Sequence, residues 1–369
     1  MKILFDTRHI KEVYSGLGRY THSILKALVK VNLFTKLEII LDKNCDYADN
    51  PLFKDIEVKL TKNITITYLD APLFKLKHHI NVSKYVNSSD CDVYFYPHFD
   101  MPTFINKNSI FVVHDLLPLV VDNYILKYKF LKQQYFKNMI TFNLSKKNSK
   151  CIAVSQSTKD DILNIISSKY EDKIDVVYED SFDDVIQTDV VNKNIKDVIG
   201  LKYLLYIGDR RPHKNLKEMI DIFKILKTKY NYEGYFIIAG SERNFDLDID
   251  EYIVTESYIK TIGRVSDSEL STLYENMDSL FFLSKYEGFG LPIIESAKHN
   301  KKIIILDASS CTEIAPTSAL RVRENDDFTI RVEKIFDYLY ENKIIDNTKY
   351  LKNYSWEESV KSIFNGELK

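Results

Sequence analysis

The chain has few cysteines, little net charge and no long hydrophobic run. Its apolar runs fall short of the ~20 residues that a transmembrane helix needs, which argues against a membrane-spanning protein. A formal net charge of −2 provides no basic field that would attract nucleic acid, so we expect no nucleic-acid partner. The cysteines are widely spaced and form no C-x-x-C pair or metal-ligand spacing: Cys45, Cys91, Cys151 and Cys311.

This cysteine spacing favours reduced structural thiols, which indicate a reducing compartment. The first residues, MKILFD, turn polar too early for a signal peptide. We therefore expect a cytoplasmic protein.

Length and residue pattern restrict the fold. At 369 residues the chain is too long for one ordinary core, and its 45% apolar content is typical of a globular protein. Short apolar runs alternate with helical stretches, which predicts α/β domains with parallel sheets. The predicted strands are 2–5, 37–41, 65–68, 93–96, 110–113, 151–154, 175–177, 203–207, 235–239, 259–261, 279–283 and 302–306.

A stretch rich in Asp and Asn, residues 179–200, separates the two sets of strands. We interpret it as a linker between a first domain at 1–178 and a second domain at 201–354. Ligands of open α/β sheets bind beyond the carboxyl ends of the strands, and the polar motifs of this chain follow predicted strands.

Two carboxylates bracket a glycine-rich loop in the run EGFGLPIIE at 287–295. Pro292 suits the first turn of a helix, where its missing N–H costs nothing. A helix N-terminus offers unpaired N–H groups and a positive dipole end, which favour a phosphate. We expect Glu295 in that first turn and Glu287 on the loop to accept hydrogen bonds from ligand hydroxyls. The alternative is a simple turn with a favourable charge–dipole contact.

A cluster of cations follows the predicted strand 203–207, in the run GDRRPHKN at 208–215. Lys214 could supply a point charge to a diphosphate, and Arg210 or Arg211 a guanidinium fork, with Arg210 slightly favoured. The alternative is that these are solvated surface cations. Asn215 is a reasonable cap for the helix that follows.

Two motifs in the first half are weaker signals. The run SGLGRY at 15–20 opens a predicted helix, but Thr21 stands where a dinucleotide-binding fingerprint requires a third glycine. The run VVHDLLP at 112–118 places His114 at a strand end, where a hydrogen-bonded structural role is the ordinary alternative to a functional one.

The two glutamates and the loop between them resemble the E-x7-E signature of the retaining glycosyltransferases of family 4. The GDRRPHKN, SGLGRY and VVHDLLP runs are also similar to segments of that family, and the resemblance spans nearly the full length. It implies the GT-B fold, in which two Rossmann-like domains with parallel sheets face an interdomain cleft. It also implies that the C-terminal helix, 355–369, crosses back onto the first domain. The chain departs from the family at 178–180, where YED replaces the Asn-Gly of many relatives.

The resemblance also implies roles for individual residues. Glu295 would bind the nucleotide ribose, Glu287 the transferred sugar and Lys214 the donor phosphates, while His114 would lie beside the transferred sugar. The small residues of the SGLGRY loop would let backbone amides approach the distal phosphate across the cleft. The catalytic candidates are thus His114 and Glu287, and the donor-binding candidates are Gly16, Gly18, Arg210, Lys214, Gly288, Phe289, Gly290, Leu291 and Glu295.

The implied reaction transfers a sugar from a nucleoside-diphosphate sugar to a hydroxyl of a glycan or lipid-linked oligosaccharide, with retained configuration. Mannose is slightly preferred as the sugar, because the motifs resemble those of O-antigen mannosyltransferases. No metal or other cofactor is expected. The acidic run DLDID at 246–250 has D-x-D spacing, but we interpret it as a solvated loop, because GT-B enzymes need no such motif.

Two other functions remain open: a non-catalytic GT-B scaffold subunit and a GT-B nucleotide-sugar epimerase. Lysines and aromatic residues also alternate along 124–150, which indicates a basic amphipathic helix. Peripheral contact with the inner face of the cell membrane is one interpretation of this segment, and an ordinary core-facing helix is the other.

Overall fold

A computed structural model describes residues 1–11, 15–47, 50, 54, 62–122, 129–182, 193–240 and 256–365. The chain divides into two compact units. The first unit comprises Met1–Asp180 with Tyr354–Lys369, and the second comprises Ser181–Asn353. The acidic run at 246–250 and the first residues of the 124–150 segment lie outside the described residues.

The first unit contains a parallel sheet whose described strands follow the order β3-β2-β1-β4-β5-β6-β7. The strands are β1 (Lys2–Asp6), β2 (Lys36–Asp42), β3 (Ile64–Leu69), β4 (Val93–Tyr96), β5 (Ser109–Val113), β6 (Ser149–Ala153) and β7 (Ile174–Val176). The helices are α1 (Gly16–Val31), α2 (Leu76–Ser88), α3 (Leu117–Val120), α4 (Lys129–Ser145) and α5 (Gln156–Ile165), with 3-10 turns at Arg8–Lys11 and Ser168–Lys173.

The second unit contains another parallel sheet, with the described strands in the order β10-β9-β8-β11-β12-β13. Its strands are β8 (Tyr203–Ile207), β9 (Tyr235–Ala239), β10 (Ile259–Gly263), β11 (Ser279–Phe282), β12 (Lys302–Leu306) and β13 (Leu320–Val322). Its helices are α6 (Lys193–Lys196), α7 (Leu216–Thr228), α8 (Asp267–Asn276), α9 (Leu291–Lys298), α10 (Ser309–Ile314), α11 (Phe328–Tyr340) and α12 (Thr348–Leu351), with a 3-10 turn at Pro212–Lys214.

The α/β fold with two parallel sheets is confirmed, and each predicted strand is present with ends within two residues of the prediction. The edge strand β13 was not predicted. Only its last residue, Val322, is fully buried, so three residues do not give the continuous apolar run that marks the central strands.

Local signals define the ends of the functionally relevant helices. Ser15 caps α1 by accepting a hydrogen bond from the Gly18 N–H, and Asn32 ends this helix in the left-handed conformation. Ser266 and Glu269 form a capping box at the start of α8, as the residue types predict.

The last helix, α13 (Trp356–Asn365), belongs to the first unit and packs against α1. The rings of Trp356 and Tyr20 meet edge to face with centroids 5.6 Å apart, and Lys30 pairs with Glu357. The hydroxyl of Ser359 donates to the Tyr178 carbonyl at 2.7 Å. These contacts attach the end of the chain to the unit that contains its beginning.

The predicted linker is partly absorbed into both units. Glu179 and Asp180 are buried in the first unit. Ile195 and Val198 are buried in the second unit. Among the described helices, none combines the length and the apolar character that crossing a bilayer requires.

The loops after β8 and β9 approach each other so closely that a side chain would not fit. A Cβ atom on Gly240 would lie 2.0 Å from the carbonyl oxygen of Gly208, and Gly240 has φ +126°. Glycine at this position therefore lets the carboxyl ends of these two adjacent strands converge.

Candidate active site

An ion pair joins two loops at the carboxyl edge of the second sheet. Lys214 follows β8 and Glu287 follows β11, and these strands are neighbours, with Ser279 opposite Leu204. The Nζ atom of Lys214 donates to both carboxylate oxygens of Glu287, at 2.6 and 2.9 Å. The side chains are only 16% and 12% exposed. Two residues that the sequence assigned to different parts of a donor thus lie in direct contact.

The electrostatics of this pair favour its charged form. Burial lowers the pKa of Lys214, but the charge and hydrogen bonds of Glu287 outweigh it and raise the pKa above its ordinary value. An ammonium group has three N–H donors. Since Glu287 takes two of them, the lysine can keep its partner while it donates to one further anion.

Backbone hydrogen bonds fix the position of Lys214. The carbonyl of His213 accepts from the Lys285 N–H at 2.8 Å and from the Ser284 hydroxyl at 3.3 Å. The turn that contains Lys214 is therefore attached to the strand end that leads to Glu287. His213 itself is buried, and burial, followed by the charge of Lys214, lowers its pKa to about 4, so its ring is neutral at physiological pH.

Serines at the start of α10 hold the loop that contains Glu287. The hydroxyl of Ser309 accepts from the Glu287 N–H at 2.9 Å. The hydroxyl of Ser310 lies 2.9 Å from the carbonyls of both Glu287 and Phe289. No pattern in the run ASSCTE at 308–313 connects these serines to the glutamate loop.

Helix α9 begins directly after this loop. Gly290 occupies the N-cap position with φ 107°, which a residue with a side chain rarely adopts, and Leu291 and Pro292 follow as the first helical residues. The N-terminus of α9 is thus formed without a side-chain cap, as an anion site would require. Gly288 and Phe289 lie in the loop between Glu287 and this N-terminus.

The placement of Glu295 corrects the prediction. It is the fifth residue of α9 and therefore lies in the second turn, because the helix begins at Leu291 rather than at the proline. Its carboxylate accepts from the buried hydroxyl of Tyr274 at 2.7 Å. Tyr274, on α8, orients Glu295, and no local pattern predicts this contact.

The two arginines after β8 have different surroundings. Arg210 is only 6% exposed, whereas Arg211 pairs with Asp209 at 3.2 Å and is about one-third exposed. Burial, with the charges of Asp209 and Glu287, raises the pKa of Tyr206 far above its ordinary value, and Arg210 opposes that rise. Arg210 therefore lies in the same electrostatic environment as Glu287.

Asn215 occupies the N-cap position of α7, as predicted, but its side chain makes no cap hydrogen bond. It adopts a left-handed conformation with φ 59°, and its amide donates to Glu218 at 2.5 Å. Asparagine tolerates this conformation, so it serves the sharp turn after Lys214 rather than the helix N–H groups.

In the first unit, Gly16 and Gly18 lie in the first turn of α1. Gly18 is buried and Gly16 is exposed. A Cβ atom built on Gly16 would meet nothing within 4 Å, so no neighbouring atom in the described residues requires a glycine there.

His114 follows β5 and is surrounded by hydrogen-bond acceptors. Its Nε2 atom lies 2.9 Å from the Pro97 carbonyl, and its Nδ1 atom lies 3.2 Å from Glu179. The ring of Tyr20 packs edge to face against it at 4.6 Å. Because both nitrogens face groups that only accept, the ring satisfies them fully only as a protonated imidazolium.

Glu179 explains the charge state of this histidine. Burial lowers the pKa of His114, but the hydrogen bond and charge of Glu179 raise it above the ordinary value of 6.5. Glu179 is 6% exposed and belongs to the YED segment that departs from the family pattern. The sequence treated it as the first residue of a linker, and no local signal could have paired it with a residue so distant along the chain.

We predict that Glu179→Gln lowers the pKa of His114, measured by NMR titration of its ring protons. Since the folded pKa is raised, the stabilisation is fully present below about pH 6.5 and is lost as pH rises through the folded pKa. The variant should lose on the order of 1–2 kcal/mol of unfolding free energy at pH 5.5, as expected for a charged hydrogen bond. The loss should shrink towards pH 9. Glu171→Gln, at an exposed position of the same unit, is the control. A loss that grows with pH would contradict the assignment.

Residues 192–321 match the family model described as glycosyl transferases group 1. The chain is 27% identical over 224 residues to the O-antigen chain mannosyltransferase RfbU of Salmonella typhimurium, an alignment that spans 60% of this chain and 58% of that protein. It is 21% identical over 393 residues to the O-antigen chain mannosyltransferase B of Escherichia coli, with 99% of both chains covered.

Solved structures extend the similarity to the fold of the whole chain. WaaG, a glycosyltransferase involved in lipopolysaccharide biosynthesis, superposes with a TM-score of 0.67 at 11% identity over 99% of this chain and 100% of its own. HepE of Anabaena, solved with UDP-glucose, superposes with a TM-score of 0.64 at 15% identity over 99% and 95%. The chain therefore has the GT-B fold. Its residues 192–321, which include Lys214 and Glu287, are similar to glycosyl transferases group 1, and O-antigen mannosyltransferases are among its relatives.

Proposed function

We propose that this protein transfers a sugar, preferably mannose, from a nucleoside-diphosphate sugar to a hydroxyl of a glycan or lipid-linked oligosaccharide. The observation that carries the proposal is the buried pair of Lys214 and Glu287, at neighbouring strand ends within the glycosyltransferase group 1 domain. The preference for mannose rests on the names of the O-antigen relatives.

The donor diphosphate would bind where three anion-stabilising groups occur together in the second unit. Lys214 would donate its third N–H to a phosphate oxygen, and Arg210 would add a second positive charge. The N-terminus of α9, with Gly290 and Leu291, would contribute backbone N–H groups. These contacts would stabilise the negative charge of the diphosphate, as a metal ion does in other transferases. We therefore propose that donor activation needs no metal at the diphosphate.

Glu295 would bind the ribose hydroxyls of the donor. The hydroxyl of Tyr274 holds one end of its carboxylate, which fixes the side chain before the nucleotide arrives. Gly288 and Phe289 would line the path from Glu295 to Glu287. Preorganisation of this kind lowers the entropic cost of orienting the donor.

We propose that the transfer proceeds with retention and without a covalent intermediate. Glu287 shares both carboxylate oxygens with an ammonium group, which makes it a weak nucleophile but a suitable acceptor for a sugar hydroxyl. The bond from the anomeric carbon to the diphosphate breaks, and the acceptor oxygen bonds to that carbon on the same face. The acceptor proton passes to the departing diphosphate oxygen, so charge and atoms balance.

His114 would position the transferred sugar rather than act as a base. Both of its nitrogens already donate, to Pro97 and Glu179, so the ring has no lone pair to accept a proton. Its positive charge would complement the negative charge that develops on the leaving diphosphate.

We propose that helix α4, on the acceptor-binding unit, contacts a membrane surface. In α4 the side chains of Phe130 and Leu131 are 74% and 65% exposed, and Lys132 beside them is exposed as well. Phe136 and Ile140 of the same helix are buried, so α4 both packs on the core and presents apolar side chains outward. Exposed apolar residues among lysines suit an anionic lipid surface, where a lipid-linked acceptor would be located.

We predict that Lys214→Ala lowers kcat on the order of 10²–10³-fold, the usual cost of removing one charge stabiliser. Lys217→Ala, an exposed lysine in the same region, is the matched control and should behave like wild type. Transfer is measured with GDP-mannose, UDP-glucose, a UDP-N-acetylhexosamine and dTDP-rhamnose.

The same assay distinguishes the two alternatives. A scaffold subunit would bind a nucleotide without transfer or hydrolysis, and an epimerase would release sugar with no acceptor present. Equal kcat for Lys214→Ala and wild type would refute the donor-site assignment.

We predict that Gly16→Ala preserves folding but lowers transferase activity. The added methyl group meets no atom of the described residues within 4 Å, and alanine favours a helix more than glycine does. The methyl group would, however, occupy the space through which the backbone of α1 approaches a phosphate. A thermal midpoint at or above that of wild type, with a reduced kcat/KM for the donor, is the expected result. Unchanged kcat/KM would remove Gly16 from the donor contacts.

We predict that Phe130→Ser combined with Leu131→Ser reduces co-sedimentation with vesicles of anionic lipid at low salt. The control is Ile344→Ser, because Ile344 is 94% exposed in the second unit and has no role in this proposal. If wild type does not sediment with the vesicles, or if both variants lose binding equally, the membrane contact through α4 is wrong.

A further inference from the structure

Two histidines and an aspartate lie together at the carboxyl edge of the first sheet. His9 belongs to the 3-10 turn after β1, and His98 and Asp100 follow the neighbouring strand β4. One potential ligand atom from each residue lies within 4.8 Å of the other two. The proposed donor chemistry uses none of these residues.

The carboxylate of Asp100 has one oxygen with no partner. Its Oδ1 atom accepts from the Tyr96 hydroxyl at 3.0 Å and from Nδ1 of His98 at 2.5 Å. Its Oδ2 atom is inaccessible to solvent and has no hydrogen-bond partner among the described residues, although the residue is 0% exposed. A buried carboxylate oxygen without a hydrogen-bond donor costs free energy, so we expect this oxygen to bind a ligand.

The two histidines each keep a lone pair as well. The single proton of the Tyr96 hydroxyl goes to Asp100, so Nε2 of His9, at 3.2 Å, must donate to Tyr96, which leaves Nδ1 of His9 as an acceptor. In His98, Nδ1 donates to Asp100, which leaves Nε2 as an acceptor in the neutral ring. Within the described residues, neither of these acceptor nitrogens has a hydrogen-bond partner.

A third histidine, His78, has hydrogen-bond partners for both of its ring nitrogens. Nε2 of His78 donates to the Asp100 carbonyl and its Nδ1 accepts from Arg8, both at 2.9 Å. His78 is therefore fully used by the protein. Arg8 is in turn paired with Asp6 at 2.7 Å, and both side chains are fully buried. The charge of Arg8 is thus balanced by Asp6, and the charge of Asp100 faces histidine rings.

We propose that His9, His98 and Asp100 form a binding site for one divalent transition-metal ion of the zinc class. One ligand atom from each residue lies within 4.8 Å of the other two. Nδ1 of His98, which faces Asp100, would bind the ion once its proton moves to Nε2. Two imidazoles with one carboxylate are a ligand set that zinc and its neighbours accept, with a position left for water or another oxygen.

The surroundings have the features of a metal site. The Tyr96 hydroxyl links the N–H of His9 to Asp100, which is the kind of outer contact that fixes the tautomer of a ligating histidine. His9 and Asp100 are buried, while the His98 side chain is 18% exposed and offers a route for the ion. None of these three residues is among those proposed to bind the donor.

The experiment measures metal binding by the full chain, independently of transferase activity. The protein is stripped with a chelator and dialysed against Zn²⁺, and the bound metal is counted by mass spectrometry. Co²⁺ then reports nitrogen and oxygen coordination through its visible absorption. All proteins carry Cys45→Ser, because this partly exposed thiol could also bind Zn²⁺.

We expect one equivalent of Zn²⁺ per chain, and a loss of affinity of at least about tenfold in Asp100→Asn and in His98→Gln. His79→Gln is the matched control, because this neighbouring histidine contacts Thr103 and lies outside the site. It should bind Zn²⁺ like wild type. If Asp100→Asn does not fold, the Zn²⁺ affinity of His98→Gln tests the proposal. The His98 side chain is partly exposed, so we expect this variant to fold.

Equal Zn²⁺ affinity in wild type and the site variants would overturn the proposal. Absence of stoichiometric binding by wild type would overturn it too. In that case, a thermal midpoint that rises with a simple sugar in wild type, and not in Asp100→Asn, would indicate that sugar hydroxyls rather than a metal donate to these acceptors.

Discussion

The buried pair of Lys214 and Glu287 is the interaction on which the candidate donor site depends. The two side chains are 16% and 12% exposed, so removing one partner leaves the other charge largely buried and uncompensated. The cost approaches the roughly 3–5 kcal/mol of a fully buried pair. Hydrogen bonds to the backbone around Lys214 and Glu287 keep the two side chains together. The carbonyl of His213 is bonded to the end of β11, and the hydroxyl of Ser309 holds the backbone of Glu287. The two strand ends are therefore connected by backbone as well as by charge.

The first unit shows that hydrogen-bond partners, rather than residue type, determine what a histidine can do. His114 faces two acceptors, which favours its protonated form, whereas His78 donates with one nitrogen and accepts with the other. His9 and His98 each keep one lone pair beside a carboxylate oxygen that also lacks a partner. Histidines of the same unit thus have three different sets of hydrogen-bond partners.

The sequence predicted the strands well, because central parallel strands are continuous apolar runs that stand out from amphipathic helices. It also placed Lys214 and Glu287 after predicted strands, although only the sheet order shows that these strands are neighbours. It did not place Glu295 correctly within its helix, since the helix begins at Leu291, which makes Glu295 its fifth residue. The contacts of Tyr274 with Glu295 and of Glu179 with His114 were missed, because each joins residues that are distant in the chain and carry no local pattern.

The sequence by itself determined the alternation of strands and helices, the glycines at the loop–helix junctions and the caps of helices such as α1, because these depend on residues within one turn of each other. The tertiary structure alone decided which charges meet. The pairing of Lys214 with Glu287, the protonated state of His114 and the unpartnered oxygen of Asp100 follow from the order of strands in each sheet. That order brings together side chains from separate loops, and burial then makes each missing or added hydrogen bond energetically significant.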